Sequence, residues 1–165
     1  MNTVGIVSPG FMGAGLGGAL RAGGARVVAT VDGRSARSRR LAGEAGLELL
    51  PTLRDVVGAA DVVLVVTPPG EAVAAASAIR VAAGAAGSSP LVADLNAVSP
   101  TTMVRIQAAL GDLRLVDGSI SGPPPSDRPS TVATTRAPPA RSAPPSPAPM
   151  KPGLTIPTVF IGPTL

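Results

Sequence analysis

The stretch Thr3-Val4-Gly5-Ile6-Val7-Ser8-Pro9-Gly10-Phe11-Met12-Gly13 decides the fold of this chain. A short apolar run leads into a turn that contains glycine, and a helix-like stretch of small and apolar residues follows from Ala14 to Ala22. A strand, a tight turn and a helix in this order place the helix N-terminus where a dinucleotide pyrophosphate can bind. Cofactor binding is therefore the function that this stretch predicts.

Strand and helix signals alternate from this stretch to residue 122. The predicted strands are Thr3–Val7, Arg26–Val31, Leu47–Leu50, Asp61–Val66, Leu91–Asp94 and Leu113–Asp117. The predicted helices are Met12–Ala22, Ser35–Ala45, a short one that starts at Pro51 and Thr52, Glu71–Ala83, and one from Pro100 to Leu110 with Ser99 as its N-cap. The alternation predicts a Rossmann-like α/β fold, a doubly wound parallel sheet of about six strands.

Composition divides the chain into two parts. Residues 1–122 hold 6 of the 19 prolines, and residues 123–165 hold the other 13 among Ser, Thr, Ala and Arg. The second part lacks the apolar content that would offset the entropy of ordering it. We expect a Rossmann domain over 1–122 and a Pro-rich, mostly disordered tail over 123–165.

Several classes of function are excluded by what the sequence lacks. Without cysteine or histidine, disulfides, thiol nucleophiles, imidazole bases and most zinc sites are excluded, and we expect no metal site. The net charge is +4, but the first 122 residues contribute only +1, and the aromatics are two phenylalanines, so no nucleic-acid surface is predicted. The apolar windows are short or interrupted by charge, and no signal peptide is evident, so we expect a soluble cytoplasmic protein.

The glycine turn departs from the usual dinucleotide fingerprint. That fingerprint needs three small positions, which are Ser8, Gly10 and Gly13 here. Serine can hold the first position only if its φ stays negative, and Pro9 removes one amide donor. A structural connector is the alternative interpretation, but the setting favours cofactor binding by Ser8, Pro9, Gly10, Phe11, Met12 and Gly13. Of the further glycines Gly15, Gly17 and Gly18, we expect at least one to serve close packing on the sheet.

The end of the second strand gives conflicting signals about which cofactor binds. Asp32 is placed to bond the adenosine ribose diol, which disfavours a 2′-phosphate. Arg34 is placed to stack on adenine or to pair with a 2′-phosphate, and Ser35 is placed to donate a hydrogen bond to that phosphate. We favour NADP(H), with NAD as the alternative. Three further arginines, Arg37, Arg39 and Arg40, are interpreted as a solvated helix face.

The ordered motifs together resemble a family. Residues 1–122 resemble the NAD(P)-binding domain of the β-hydroxyacid dehydrogenases, which include the 6-phosphogluconate and 3-hydroxyisobutyrate dehydrogenases. The motifs that carry the resemblance are Ser8-Pro9-Gly10-Phe11-Met12-Gly13, Gly33-Arg34-Ser35, Thr67-Pro68-Pro69, Asp94-Leu95-Asn96-Ala97-Val98-Ser99-Pro100 and Asp117-Gly118-Ser119-Ile120-Ser121-Gly122-Pro123.

The resemblance implies hydride transfer between a nicotinamide cofactor and a hydroxy acid or related substrate. Thr67 and Pro68 would lie against the ribose, and Asn96 would lie near the nicotinamide. Ser121 and Gly122, in a substrate-side loop, would touch the substrate. The alternatives are that Pro68 only ends a strand and that Asn96 and Ser121 are turn residues that satisfy the backbone. Asp94 and Asp117 end strands and are interpreted as structural.

The chain departs from the family where catalysis would take place. The family has a catalytic lysine followed four residues later by asparagine, and an all-helical domain that completes the substrate pocket. The sole lysine here is Lys151, which lies between prolines and has no such asparagine. No catalytic residue is therefore predicted, and whether the chain is an enzyme stays open.

Three hypotheses about the function of the whole chain follow from these observations. The first is a truncated or frameshifted oxidoreductase that binds NADP(H) with weak or no turnover. The second is a non-catalytic nucleotide-binding module with a Pro-rich interaction tail. The third is a remnant whose exposed apolar surface favours a homo-oligomer or association with an intact homologue.

Overall fold

The computed structural model describes residues 2–121 and 131–134. Seven strands form one sheet: β1 (Thr3–Val7), β2 (Arg26–Ala29), β3 (Glu48–Leu49), β4 (Val62–Val65), β5 (Leu91–Asp94), β6 (Leu115–Ser121) and β7 (Thr131–Thr134). Five α-helices connect them: α1 (Phe11–Ala22), α2 (Ala36–Glu44), α3 (Leu53–Ala59), α4 (Ala72–Ala86) and α5 (Pro100–Leu110). A short 3₁₀ turn, Pro69–Glu71, precedes α4.

The strand order confirms the predicted doubly wound sheet. The order is β3-β2-β1-β4-β5-β6-β7, and the first six strands are parallel. The chain moves outward from β1 in one direction through β2 and β3, then returns to the other side of β1 for β4. Ligands of open α/β sheets bind beyond the carboxyl ends of the strands at such a reversal. By this rule, a ligand is expected beyond the carboxyl ends of β1 and β4.

Helices cover the two faces of the sheet. On one face Val63 and Val65 of β4 pack with Ile79 of α4 and Ile106 of α5. On the other face Ile6 of β1 packs in a second cluster that includes Ala42 of α2. Each of these side chains is almost fully buried. Burial of a valine or isoleucine contributes about 1.5–3 kcal/mol, so the continuous valine runs of the central strands hold the layers together.

Polar side chains begin the helices where the sequence predicts. The Ser99 hydroxyl accepts from the Thr102 N–H and caps α5, with Pro100 as its first residue. Thr52 caps α3 through a reciprocal capping box with Asp55. These caps satisfy N–H groups that have no partner inside the helix, so they fix where each helix starts after its strand.

The structure adds one strand to those predicted. Thr131–Thr134 pair antiparallel with the end of β6, and Ser121 lies opposite Thr131. The block from Asp117 to Ser121, expected as a loop, is therefore strand, because β7 supplies its ladder partners. Thr131, Val132 and Thr134 are β-prone, but the proline-rich sequence around them hides this signal. The other tail residues, among them Gly122 and Lys151, lie outside the described residues.

No helix in the described part of the chain has the length and apolar character needed to cross a membrane.

Candidate functional site

The turn between β1 and α1 has an unusual backbone. Ser8 has a φ of +62°, and no other residue except glycine has a positive φ within the part of the chain that the structure describes. The condition that serine can hold this position only with a negative φ is therefore wrong. The Gly10 N–H donates to the Ser8 carbonyl oxygen at 2.6 Å, across the fully buried Pro9. Because the chain must reverse within three residues, the left-handed conformation is imposed on serine.

The two glycines of the turn have different surroundings. A Cβ on Gly13 would lie 3.1 Å from the Ser8 carbonyl oxygen and 3.3 Å from Ile6 Cγ2, so this glycine allows α1 to pack closely on β1. Apart from the adjoining residues, the nearest atom to a Cβ on Gly10 would be the Ser8 carbonyl oxygen, at 3.9 Å. The space above Gly10 is therefore open to a ligand. Gly17 also serves packing, as expected for at least one helix glycine, because its Cβ would meet Ile6 Cδ1 at 2.7 Å.

The N-terminus of α1 provides amide donors at this open space. Gly10 is the N-cap and contributes no side-chain cap. The N–H groups of Phe11, Met12 and Gly13 lie in the first turn, where no intrahelical acceptor exists. Phe11 is 58% exposed. Since Pro9 has no N–H and the Gly10 N–H is already bonded, these three amides are the donors that the turn can offer to an anion.

The loop after β2 brings Asp32, Arg34 and Ser35 together. The Arg34 N–H donates to the Val31 carbonyl at 3.0 Å, and Gly33 takes a φ of +65°, so Asp32 lies at the tip of a tight turn. Asp32 and Ser35 are exposed, and Arg34 is half-buried. Ser35 caps α2 by accepting from the Ser38 N–H at 3.2 Å. The Ser35 hydroxyl also lies 3.2 Å from Ser38 Oγ, where either hydroxyl can donate, so the Ser35 proton is available to a ligand when Ser38 is the donor.

Arg39 belongs to this loop region, which the sequence analysis missed. Its Nη2 donates to the Arg34 carbonyl at 3.0 Å. It also lines a shallow cleft whose other lining residues are Val31, Asp32, Gly33, Leu49, Leu50 and Pro51. The interpretation of Arg39 as only part of a solvated face is incomplete. Arg39 lies five residues after Arg34, in the first turn of the predicted helix, and this spacing was the sequence signal that could have placed it near the loop.

Thr67, Asn96 and Asp94 form one hydrogen-bonded network after β4 and β5. The Thr67 N–H donates to Asn96 Oδ1 at 2.8 Å, and Asn96 Nδ2 donates to Thr67 Oγ1 at 3.2 Å. Asn96 Nδ2 also donates to Asp94 Oδ2 at 3.1 Å, while the Asn96 N–H donates to Asp94 Oδ1 at 3.0 Å. The Asn96 side chain therefore joins the two loops, as in the alternative interpretation that it satisfies the backbone.

The Asp94 carboxyl is the most deeply buried polar group at this edge. It is 0% exposed, and Asn96 is 6% exposed. Burial raises the pKa of Asp94, the hydrogen bonds from Asn96 oppose this, and the neighbouring Asp117 raises it further. Asp117 is its register partner on β6. The sequence analysis classed Asp94 as structural and did not foresee its bonds to Asn96.

The remaining predicted residues lie around this edge. Pro68 is exposed and precedes the 3₁₀ turn that leads to α4. Ser121 is exposed at the end of β6, in the ladder with β7. Gly122 lies beyond the residues described. Over the ranges 2–121 and 131–134, no cluster of three or more acidic side chains could hold a metal ion.

Comparison with known proteins gives one family. The model of the family described as "NADP oxidoreductase coenzyme F420-dependent" matches residues 3–90, just over half of the chain. No curated protein matches the sequence.

Solved structures share the fold. A conserved protein of unknown function, described as structurally similar to 3-hydroxyacid dehydrogenases, superposes with a TM-score of 0.65 and 27% identity over 73% of this chain and 44% of its own. The 3-hydroxyisobutyrate dehydrogenase of Mycobacterium tuberculosis, with L-serine, has a TM-score of 0.61 and 25% identity over 74% of this chain and 42% of its own. A pyrroline-5-carboxylate reductase from Coxiella burnetii superposes with a TM-score of 0.61 and 20% identity over 78% of this chain and 47% of its own. At this identity the likeness shows the fold alone. The chain spans less than half of each of these proteins.

Proposed function

The chain belongs to the family of NADP oxidoreductases described as coenzyme F420-dependent, and from that premise we propose that it binds NADP(H) across the carboxyl edge of its sheet. The resemblance to the NAD(P)-binding domain of the hydroxyacid dehydrogenases is confirmed, and the chain carries such an oxidoreductase domain. The choice of NADP(H), the binding residues and the chemistry are the proposal.

The observation that carries the proposal is the open space above Gly10. A methyl group there would meet nothing closer than the Ser8 carbonyl oxygen at 3.9 Å, apart from the adjoining residues Pro9 and Phe11, so packing does not explain the glycine. Its φ of −75° is one that any residue adopts, so backbone freedom does not explain it either. Close approach of a pyrophosphate to the amides of Phe11 and Met12 gives the glycine a reason.

Calorimetric titration of Gly10→Ala with NADPH tests this. The added methyl stands in the path of the pyrophosphate, so we expect affinity to fall about tenfold or more, while the free energy of unfolding stays within about 0.5 kcal/mol of the original. Gly84→Ala is the matched control: Gly84 also has open space, but it lies near the C-terminal end of α4. Equal NADPH affinity in Gly10→Ala and the original protein would remove the argument.

The loop after β2 supports NADP(H) over NAD(H). Arg34, the Ser35 hydroxyl proton and Arg39 offer donors on one side of the Asp32 turn. A 2′-phosphate gains charge-assisted hydrogen bonds from such donors. Asp32 at the tip favours the free diol of NAD(H) instead. Arg34→Ala should weaken NADPH about tenfold and leave NADH unchanged. Tighter binding of NADH than NADPH by the original protein would mean that Asp32 determines the specificity and that NAD(H) is the cofactor.

We extend the proposal to chemistry: the lineage transfers hydride between nicotinamide and a small hydroxy acid, and this chain alone does so weakly or not at all. Ser121 and Gly122 are the proposed substrate contacts. The sequence holds no histidine or tyrosine, and its one lysine, Lys151, lies outside the described residues. Reduction of NADP⁺ with 3-hydroxyisobutyrate, followed by absorbance, tests this; turnover at rates typical of enzymes, about 1–1000 per second, would contradict it.

Association with a second copy is a further candidate role, and an apolar strip favours it. Leu64 of β4, Val66 just after it, and Val116 and Ile120 of β6 pack against the cluster that contains Leu16 of α1, and all four are only partly buried. Apolar side chains in such a strip gain from removal of water. Sedimentation should show a dimer whose fraction rises with concentration. A monomer at every concentration would exclude this role.

A further inference from the structure

Asp94 has no direct access to a ligand, yet its hydrogen bonds control a residue at the edge of the site. The carboxyl is fully buried, and each of its oxygens accepts one hydrogen bond from Asn96. An ionised carboxylate only accepts hydrogen bonds. The NH₂ group of Asn96 must therefore face Asp94, which fixes the direction of the opposite end of the amide.

That opposite end holds Thr67. Asn96 Oδ1 accepts the Thr67 N–H at 2.8 Å, and Nδ2 donates its second proton to Thr67 Oγ1. If the amide were reversed, NH₂ would face the Thr67 N–H and the oxygen would face the carboxylate, so both contacts would become repulsive. Asp94 thus allows one orientation of Asn96 and, through it, one position of Thr67.

The strand register explains how the three residues meet. Val65 and Asp94 are paired across β4 and β5. Thr67 and Asn96 each lie two residues beyond this pair, so their side chains emerge next to each other above the sheet edge. The network ties together the two loops that leave β4 and β5.

The position of these loops selects one half of a dinucleotide. Asp32 and Arg34 follow β2, on one side of β1, and are placed to hold the adenosine ribose. The pyrophosphate binds at α1, directly after β1. The other half of the molecule must then extend to the opposite side of β1, which is the side of β4 and β5.

We propose that Asp94 is a positioning residue for the nicotinamide half of the cofactor, acting through Asn96 on Thr67. This inference rests on the proposed function, because it requires that the chain bind a dinucleotide. On this placement the loops after β1 and β2 would hold the adenosine half and the pyrophosphate, so their binding should depend little on Asp94.

The test compares NADPH with 2′,5′-ADP, which lacks the nicotinamide half, by calorimetry on the full chain. The original protein should bind NADPH more tightly than 2′,5′-ADP. In Asp94→Asn one acceptor oxygen becomes a donor at similar volume, so we expect NADPH affinity to fall about tenfold, while 2′,5′-ADP affinity stays within about twofold. Asp61→Asn is the matched control: Asp61 accepts the Thr3 N–H at 2.9 Å at the start of β4, on the opposite edge of the sheet. It should leave both affinities unchanged.

A second measurement needs no variant and covers the case in which Asp94→Asn fails to fold. In the nuclear magnetic resonance spectrum of the original protein, the Asn96 side-chain amide and the Thr67 N–H should shift with NADPH and stay in place with 2′,5′-ADP. Equal shifts with both ligands, or none with NADPH, would overturn the inference, as would equal loss of both affinities in Asp94→Asn. If the original protein binds neither ligand, the proposed function fails together with the inference; if it binds both equally, the inference alone fails.

Discussion

Ser8 shows how a single residue departs from what its type prefers. Its φ of +62° places an L side chain in the left-handed region, which costs about 1–2 kcal/mol. The Gly10 N–H to Ser8 carbonyl bond and the burial of Pro9 hold it there. Serine thus occupies a position that glycine fills more easily.

Ser8→Gly should therefore stabilise the protein. Relief of the left-handed penalty exceeds the greater entropy that glycine loses on folding, and we expect a net gain of roughly 0.5–1 kcal/mol in the free energy of unfolding, measured with urea. Ser8→Ala keeps the strain and should show no gain. Equal stabilisation by both variants would mean that the serine hydroxyl, and not the backbone, is the source of the cost.

Asp94 should make stability depend on pH. Its pKa in the folded protein is raised by burial and by Asp117, so the folded state holds this proton more tightly than the unfolded state does. The contribution of Asp94 to stability is then fully present below about pH 4, the ordinary aspartate pKa, and is lost as pH rises through the folded pKa. The difference in unfolding free energy between the original protein and Asp94→Asn should fall from about pH 4 upward and then level off. A difference that rises over this range would mean that the Asn96 hydrogen bonds outweigh burial.

The sequence predicted where these residues lie in the fold better than it predicted their hydrogen-bond partners. Ser8, Asp32, Thr67 and Asn96 all lie at the carboxyl ends of strands, because local strand endings decide this. The contact of Asn96 with Thr67 depends on the register between β4 and β5, which no local pattern contains. The torsion of Ser8 depends on how α1 packs against β1, so residue preference alone gave the wrong sign.

At the scale of elements, α3 carries the chain across the sheet from β3 to β4. It has only seven residues, and an isolated helix of that length is marginal in water. Two features support it. The capping box of Thr52 and Asp55 satisfies its first amides, and Gly5 of β1 lets it pack closely, since a Cβ there would lie 3.0 Å from Val56 Cγ1.

Removal of the N-cap at Thr52 should destabilise α3. Thr52→Ala loses the hydroxyl that accepts the Asp55 N–H at 3.2 Å and donates to Asp55 Oδ2 at 2.7 Å. We expect the free energy of unfolding to fall by about 1 kcal/mol in a urea titration, while Thr52→Ser, which keeps the hydroxyl, should lose much less. If serine and alanine cost the same, the threonine methyl rather than the cap supports α3.

At the scale of the whole molecule, the doubly wound arrangement of the sheet followed from the sequence, but its outer boundary did not. Alternating apolar and helical segments, together with right-handed crossovers, leave few arrangements other than a doubly wound sheet. The pairing of β7 with β6 is antiparallel and follows a proline-rich connection. Composition averages over such a segment and hides the three β-prone residues of β7, so the sequence does not predict the seventh strand.

We expect the sheet, the turn and the loops to unfold as one cooperative unit, so binding at the carboxyl edge should raise the stability of the domain. A ligand at 100 times its dissociation constant adds about 2.7 kcal/mol to the free energy of unfolding. For a domain of this size that is a rise in Tm of several degrees, measured by thermal unfolding with and without NADPH. Gly10→Ala should unfold at the original temperature without ligand, because its methyl meets no close neighbour, and should show a smaller rise at the same NADPH concentration. An equal rise in Tm for both proteins would mean that the bound nucleotide does not contact the N-terminus of α1. The stabilisation would then come from binding at another place in the fold.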